Sequence, residues 1–345
     1  MKKLVLVSIP ALSSVMRKNF WEYAKPVAVL LIVAGFFSCD KQSEFALGPL
    51  QKILDGYEII AIDFDSKGNA WIVTQEKYLI RYNKNKTVIY NSKNSELPKD
   101  FFFCDIAVDR NDNVWIGTGD GVWMYNGKKF TLYNSKNTAM PEDIVWSIAV
   151  DSKNNIWLAS CRMRQGGLVK YDGNKWTVYT TTNSALPVNM IHSITVDKSD
   201  NVWLALGEYV NHSYLVKISN DILNVYTEKE LGFMPYWWGA IQCDSENRLW
   251  GTISYILSSY SGPHFPHFFI FDGKETTLLS YDDISGITID NDNVWWFGGA
   301  LWIDNRWIQL DISEFGGSRV RVVKEAPDHR IWFGTENGIF IRETM

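Results

Sequence analysis

The sequence predicts an all-β fold, a seven-bladed β-propeller of four-stranded blades whose last blade is closed by an N-terminal strand. Three observations carry this expectation. An Asp or its equivalent stands six residues before a Trp in "DSKGNAW", "DRNDNVW", "DSKNNIW", "DKSDNVW", "DSENRLW", "DNDNVWW" and "APDHRIW". The repeated Trp71, Trp115, Trp157, Trp203, Trp250, Trp296 and Trp332 are separated by 44, 42, 46, 47, 46 and 36 residues, the period of a propeller blade. Each interval holds four short runs of alternating apolar and polar residues divided by turn residues.

The first 39 residues read as a processing segment outside the fold. Arg17, Lys18 and Lys25 precede an apolar run from Pro26 to Phe37, followed by Ser38-Cys39. That run is too short to span a bilayer as a helix, which takes about 20 residues. Met16 begins a complete signal peptide by itself, so it is a second candidate start. Residues 40–44 would form a short tether, and 45–345 the propeller.

Within the second unit, alternation places strand A at 103–109, B at 113–118, C at 121–125 and D at 129–133. The Asp-to-Asn segments read as tight A–B turns, and the Trp on strand B is expected to wedge between neighbouring blades. The last unit supplies only three strands. Phe45 lies 20 residues before Asp65, while Phe130 lies 21 before Asp151, so residues near 44–48 are expected to complete the seventh blade and remove its free edge.

Composition narrows the function. With 34 basic and 39 acidic residues, a net charge of −5 and no basic block, nucleic-acid binding is excluded as a class. Sixteen Trp, sixteen Tyr and eighteen Phe must fill a core, a binding surface or both. No phosphate loop or nucleophile elbow is present, and no cofactor is called for. His264 and His267 lack a carboxylate or Cys in their loop, so no metal site is assigned. Beyond Cys39 three cysteines remain, of which Cys104 and Cys161 fall near one face and Cys243 occupies an apolar slot.

The linkers "YNSKNSELPKD", "YNSKNTAMPED" and "YTTTNSALPVN", followed by "IAVDRNDNVWIGT" or "SIAVDSKNNIWLAS", resemble the two-component regulator propeller repeat. The likeness is specific in units two to four and weaker in five to seven, where the Leu-Pro linker is lost. Phe36-Phe37-Ser38-Cys39 likewise resembles the lipobox of bacterial lipoproteins, with Phe at both outer positions. Together these imply a lipoprotein of the cell envelope, anchored through Cys39 on an outer-membrane or periplasm-facing surface. No kinase follows Met345, so only the recognition half of a hybrid sensor would carry over.

Candidate ligand-binding residues cluster where three B–C connections look overlong, at 160–167, 206–213 and 254–268, on the face called top here. They are Trp146, Arg162, Arg164, His192, Glu208, Tyr209, His212, Tyr236, Trp237 and Trp238 over blades three to five. Rings beside charged groups suit a glycan or another amphipathic ligand. A monomer binding a glycan, a peptide or a protein partner is the main expectation, and a purely structural interaction scaffold is a second. A third is an enzyme: streptogramin lyases are similar propellers, and His192, Glu208 and His267 would be the catalytic candidates here.

Overall fold

The computed structural model describes residues 6–7 and 49–343, apart from 85, 163–164, 209–212, 234, 236, 257–263, 281–286, 291–294 and 304–305. Seven antiparallel sheets follow one another along the chain, and six take their four strands consecutively. In the second blade these are Phe103–Val108, Val114–Thr118, Gly121–Tyr125 and Phe130–Tyr133, within a residue of the sequence expectation. A two-residue segment, Leu6–Val7, also pairs in parallel with Leu278–Leu279 on the outer edge of blade five. Among the described residues no helix is long and apolar enough to cross a membrane.

The seventh blade closes as expected in kind but not in place. Its outer strand is Leu50–Ile53, antiparallel to Gly338–Arg342, with Leu50 opposite Arg342. Residues 44–48 lie outside the described residues. The shift has a simple cause: the outer strand leads to Ile59 through only residues 54–58, whereas blades two to four are entered through long Asn- and Ser-rich linkers.

Those linkers show what the recurring motif does. Asn94, Asn137 and Asn183 each donate from the side chain to a strand-D carbonyl, of Ile89, Leu132 and Val178. The chain then turns and drops Leu97, Met140 or Leu186 into the core. Before blade five a short helix, Glu228–Leu231, takes over this role. Thr227 and Glu230 form a reciprocal capping box and Leu231 is the buried plug. Phe315, fully buried beside a 3-10 turn, plugs the entrance to blade seven.

The repeated Trp is the wedge. Trp115 packs on Ile148, Ile156, Leu158 and Val169 of blade three, and Trp157 on Ile194, Val202 and Leu204 of blade four. Trp332 closes the circle against Ile62, Ala70, Ile72 and Ile80 of blade one. Each ring is also tied to its own A–B turn. The indole N–H of Trp71, Trp115, Trp157, Trp203, Trp250 and Trp296 donates to the Asp six residues earlier at 2.7–3.1 Å. The same carboxylate at Asp109 also accepts the backbone N–H of Asn111 and Asn113 and the Asn113 amide.

A second set of bonds joins successive turns across the lower face. Asp112, Asn154, Asp200 and Asn247 all adopt a left-handed backbone. Each side chain accepts the N–H of a turn residue in the preceding blade, respectively Ser66, Arg110, Ser152 and Lys198. Asn and Asp tolerate this conformation better than other side-chain-bearing residues, which explains their recurrence at that position.

The seventh turn breaks the rule. Ala326 replaces the Asp, and the buried Nε1 of Trp332 has no hydrogen-bond partner. The turn backbone is otherwise preserved, with Ala326 N–H bonded to Arg330 O and His329 N–H to Ala326 O. Blade five shows that an Arg at the Arg330 position is compatible with the Asp, since Arg248 Nε donates to Asp244 at 2.6 Å. Ala326→Asp is therefore expected to stabilise the protein by about 1–2 kcal/mol by satisfying the orphan donor. An unfolding midpoint in urea that stays put or falls would refute this account.

Candidate functional site

The top face is shaped by β-bulges in the innermost strands. The register of strand A against strand B shifts between Phe103 and Asp105, Val145 and Ile148, Ile191 and Ser193, and Trp238 and Ile241. Such a bulge re-aims the side chain it carries. Trp146 and His192 sit at corresponding positions, five residues before Asp151 and Asp197. Trp146 Nε1 donates to the Cys161 carbonyl at 2.9 Å, and His192 Nε2 lies 2.9 Å from the Gly207 carbonyl. Both carbonyls belong to strand B of the same blade, so each ring is held over its own blade by main chain.

Two ring pairs result. The His192 and Trp237 rings meet edge to face with centroids 4.4 Å apart, and Phe102 and Trp146 lie tilted at 6.1 Å. Trp146 and Trp237 are each 45% exposed and Phe102 is 44% exposed, so large aromatic faces remain open to a ligand. The Phe102 ring lies against Gly119, where a Cβ would come within 2.4 Å of it. Glycine at that point of the B–C connection is what lets the ring settle. The four rings lie on, or for Phe102 immediately before, the innermost strands of blades two to five, one blade wider than the sequence reading placed them.

The remaining candidates divide. Trp238 is corrected: it is 1% exposed, packs edge-on to Phe233 and Phe269, and donates from Nε1 to the Leu206 carbonyl at 2.8 Å. It is a core residue because it occupies the bulge position facing the neighbouring blade, where Val145 and Ile191 stand in blades three and four. Arg162 is exposed at the tip of a hairpin, opposite Gln165. Glu208 is half-buried and follows Gly207, whose carbonyl meets His192. Arg164, Tyr209, His212 and Tyr236 lie outside the described residues, as does the side chain of His267.

The supposedly long connections are largely strand. The hairpin of blade three stays paired to Arg162 and Gln165, and that of blade five to Ile256 and His264. His264 and His267 therefore stand three apart on one strand, His264–Phe271. Among the described residues no group of His, Cys, Asp and Glu could hold a metal. Cys104, Cys161 and Cys243 are free thiols. The Cys161 thiol points into blade four, 3.4 Å from the Ile191 carbonyl, away from a disulfide with Cys104. Burial raises the Cys104 thiol to about 12 and the Cys161 thiol to about 11, leaving both protonated and weakly reactive.

Beneath the rim runs a polar relay that the sequence reading missed. Asp105 Oδ2 accepts the Ile148 N–H at 2.8 Å, Ser147 Oγ accepts that of Ile194, and Ser193 Oγ that of Ile241. The innermost strands of blades two, three and four thus each offer a side-chain oxygen to the next one. Asp63 accepts the Val108 N–H at 2.7 Å and pairs with Lys324 of blade seven at 2.9 Å. A signal was present: Asp63 and Lys324 stand two residues before the turn position, where Ala107, Ala149 and Thr195 are small.

Burial pushes the Asp105 carboxyl up to about 6, with the Ile148 and Ile106 N–H groups and Lys324 opposing and Asp63 adding to the rise. Burial also lowers His192, so its imidazole is neutral at physiological pH. The consequence for stability has a definite sign. A raised carboxyl binds more protons in the folded chain than in the unfolded one between about pH 4 and 6, so ionisation of Asp105 costs stability as pH rises through that window and no more above it. The stability of the wild type relative to Asp105→Asn is expected to fall across that window, as read from paired urea titrations. A difference that rises or stays flat would contradict the buried placement.

These features define an all-β propeller with an aromatic top face. The two component regulator propeller family profile matches residues 96–120, which span the second linker and the strands that follow it. No curated protein matches the chain. Among solved structures, the extracellular domain of a hybrid two component system from B. thetaiotaomicron is 20% identical with a TM-score of 0.64, over 86% of this chain and 41% of that one. Virginiamycin B lyase from Staphylococcus aureus, in an inactive form with quinupristin, is 15% identical with a TM-score of 0.65, over 86% and 99%. YCF48 bound to D1 peptide is 12% identical with a TM-score of 0.62, over 86% and 96%. The chain is a β-propeller related to two-component regulator propeller domains, and it spans about two fifths of the length of the sensor domains it resembles.

Proposed function

We propose that this protein is an extracytoplasmic recognition propeller that binds its ligand on the top face over blades two to five. The observation that carries the reading is the arc of Phe102, Trp146, His192 and Trp237, three of whose rings keep more than two fifths of their surface open while main-chain bonds and ring contacts fix their orientation. Rigid, half-open aromatics lose little conformational freedom on binding, and they offer flat faces to a sugar ring or another amphipathic ligand. The likeness to sensor domains and to a peptide-bound propeller supports recognition. The likeness to a lyase is one of fold, and chemistry does not travel with a scaffold.

Trp146→Ala and Trp237→Ala are expected to weaken a cognate ligand by about 1–3 kcal/mol each while leaving the unfolding midpoint close to that of the parent. A glycan array followed by calorimetry on the folded variants tests this, and binding equal to the parent would remove the site.

The address belongs to the same reading. The basic residues, the short apolar run and Ser38-Cys39 support export and lipidation at Cys39, which would hold the propeller close to a membrane surface. Radiolabelled palmitate should enter the wild type and not Cys39→Ser. Equal labelling of both would place the anchor elsewhere.

A further inference from the structure

Charge is spread unevenly over the lower face. The A–B turn and the C–D hairpin share that end of each blade, since Val114 stands opposite Tyr125 and Tyr125 opposite Phe130. Over blades one to three the turns present Lys67, Arg110 and Lys153, all exposed. The hairpins add Lys84, Lys86, Lys128, Lys129 and Lys175, exposed as well. Among the described residues the ion pairs of this face fall elsewhere: Lys217 with Asp197, Arg248 with Asp244 and Glu246, His329 with Glu325, and Arg330 with Asp328, which also feels Lys84. The acids interspersed among the cations are Asp112, Asp172 and Asp200. They accept from Ser66, from the Asn174 and Lys175 N–H groups and from Ser152, and each feels cations nearby. The buried Asp65, Asp109 and Asp151 are used within their own turns, with Arg81 and Lys170 lying over the Trp71 and Trp157 rings. Cations remain in excess on these three blades of a chain whose net charge is −5. The sequence has no basic block because the cations come one or two to a turn, and only the ring gathers them.

The chain also enters the propeller on this face. Leu50 stands opposite Arg342, and Arg342 opposite Ile331, the first strand residue after the seventh A–B turn. The closing strand therefore starts at the lower rim of blade seven, next to blade one, and runs towards the top. Cys39 precedes Leu50 by 11 positions, which fully extended span at most about 40 Å. We infer that the lower face of blades one to three rests on an anionic lipid bilayer, with the aromatic arc turned away from it. The attitude of the propeller rests on the lipidation reading above, and the attraction of the patch does not. Lys and Arg side chains close to anionic headgroups are drawn to them within a Debye length, and salt weakens the pull. A lipid at Cys39 limits the distance from the bilayer but leaves the propeller free to roll, and a basic patch beside the point of entry selects the face that meets the headgroups. The opposite attitude would press Phe102, Trp146 and Trp237 against the membrane and shut the proposed site to soluble ligands.

Sedimentation with vesicles tests this, phosphatidylcholine mixed with phosphatidylglycerol against phosphatidylcholine alone. The full chain with Cys39→Ser serves as parent, because it carries no lipid there and its behaviour is independent of the palmitate result. Lys84→Glu, Lys128→Glu and Lys175→Glu together, one hairpin per blade, are compared with Lys93→Glu, Lys99→Glu and Lys136→Glu together, exposed lysines of the top linkers. Both triples change the net charge equally, and all three chains share residues 1–39, so only the face differs. The parent should prefer the mixed vesicles at low salt and lose that preference as salt rises. The lower triple should lose about tenfold or more of its affinity for the mixed vesicles, and the upper triple less than about twofold. Urea midpoints equal to the parent's establish that the variants are folded, and should the lower triple fold poorly, Lys128→Glu alone against Lys136→Glu alone should still differ severalfold. A polarity-sensitive dye on Lys129→Cys should shift to the blue on the mixed vesicles and one on Lys136→Cys should not, the native thiols being held protonated by burial. Equal loss in both triples, loss in neither, or a parent that binds both vesicle types alike would overturn the inference. A dye that shifts at Lys136→Cys and not at Lys129→Cys would do the same. So would a soluble anionic polysaccharide that binds the parent more tightly than the mixed vesicles and displaces it from them, since the partner would then be a polymer.

Discussion

One carboxylate in each of six blades holds this molecule together. In five turns an Asp gathers the N–H groups of the tight A–B turn, the side chain that follows, and the indole N–H of the Trp that wedges against the next blade, and in a sixth Asp290 holds the Trp296 indole. A buried ion surrounded by donors is tolerable only because each lone pair is used, and removing one partner leaves the rest uncompensated. The carboxylate therefore couples the shape of a turn to the position of a ring. Through the ring it couples one blade to its neighbour. The orphan indole at Trp332 shows the same rule from its exception. At that seam the indole contributes packing alone, and the Lys324–Asp63 and Arg321–Glu58 pairs supply the polar links between blade seven and blade one.

Two further circuits lie above and below this one. On the lower face, left-handed Asn and Asp residues reach back to the preceding turn. Near the axis, Asp105, Ser147 and Ser193 reach forward to the next innermost strand. The two sets run in opposite senses around the ring and sit at different heights. Blades one to five are thus fastened to one another near both ends of their inner strands. The bulges that present Trp146 and His192 lie between these fastenings and the top surface, so the rim can vary in residue type while the ring beneath it stays closed.

Much of the fold was legible because a repeat states its own geometry. The Asp-to-Trp spacing located the turn, strand B and the wedge. Alternation located the strands of blade two to within a residue. The closing strand was harder, since its placement was borrowed from linkers that blade one does not have. Leu231 and Phe315 were hidden for a similar reason: they replace the Leu of the Leu-Pro linker from within short helical turns, and share with it only burial. At the site, exposure could not be read from residue type. Phe101, Phe102 and Phe103 look alike in sequence, yet only Phe102 is open, because a bulge and Gly119 decide which ring faces out. Trp237 and Trp238 divide in the same way. The axial relay was missed although Asp105, Ser147 and Ser193 each stand four residues before their turn Asp, because the residue type at that position changes from blade to blade.

The pairing of Leu50–Ile53 with Gly338–Arg342 sets the order of events during synthesis. Blades one to six can form as soon as their own residues emerge. The ring can be sealed only when the final strand is available to meet a segment made almost at the beginning. Until then both ends of the arc present unpaired faces, and the first strand waits without a partner. The architecture postpones the closing of its ring until Gly338–Arg342 has been made.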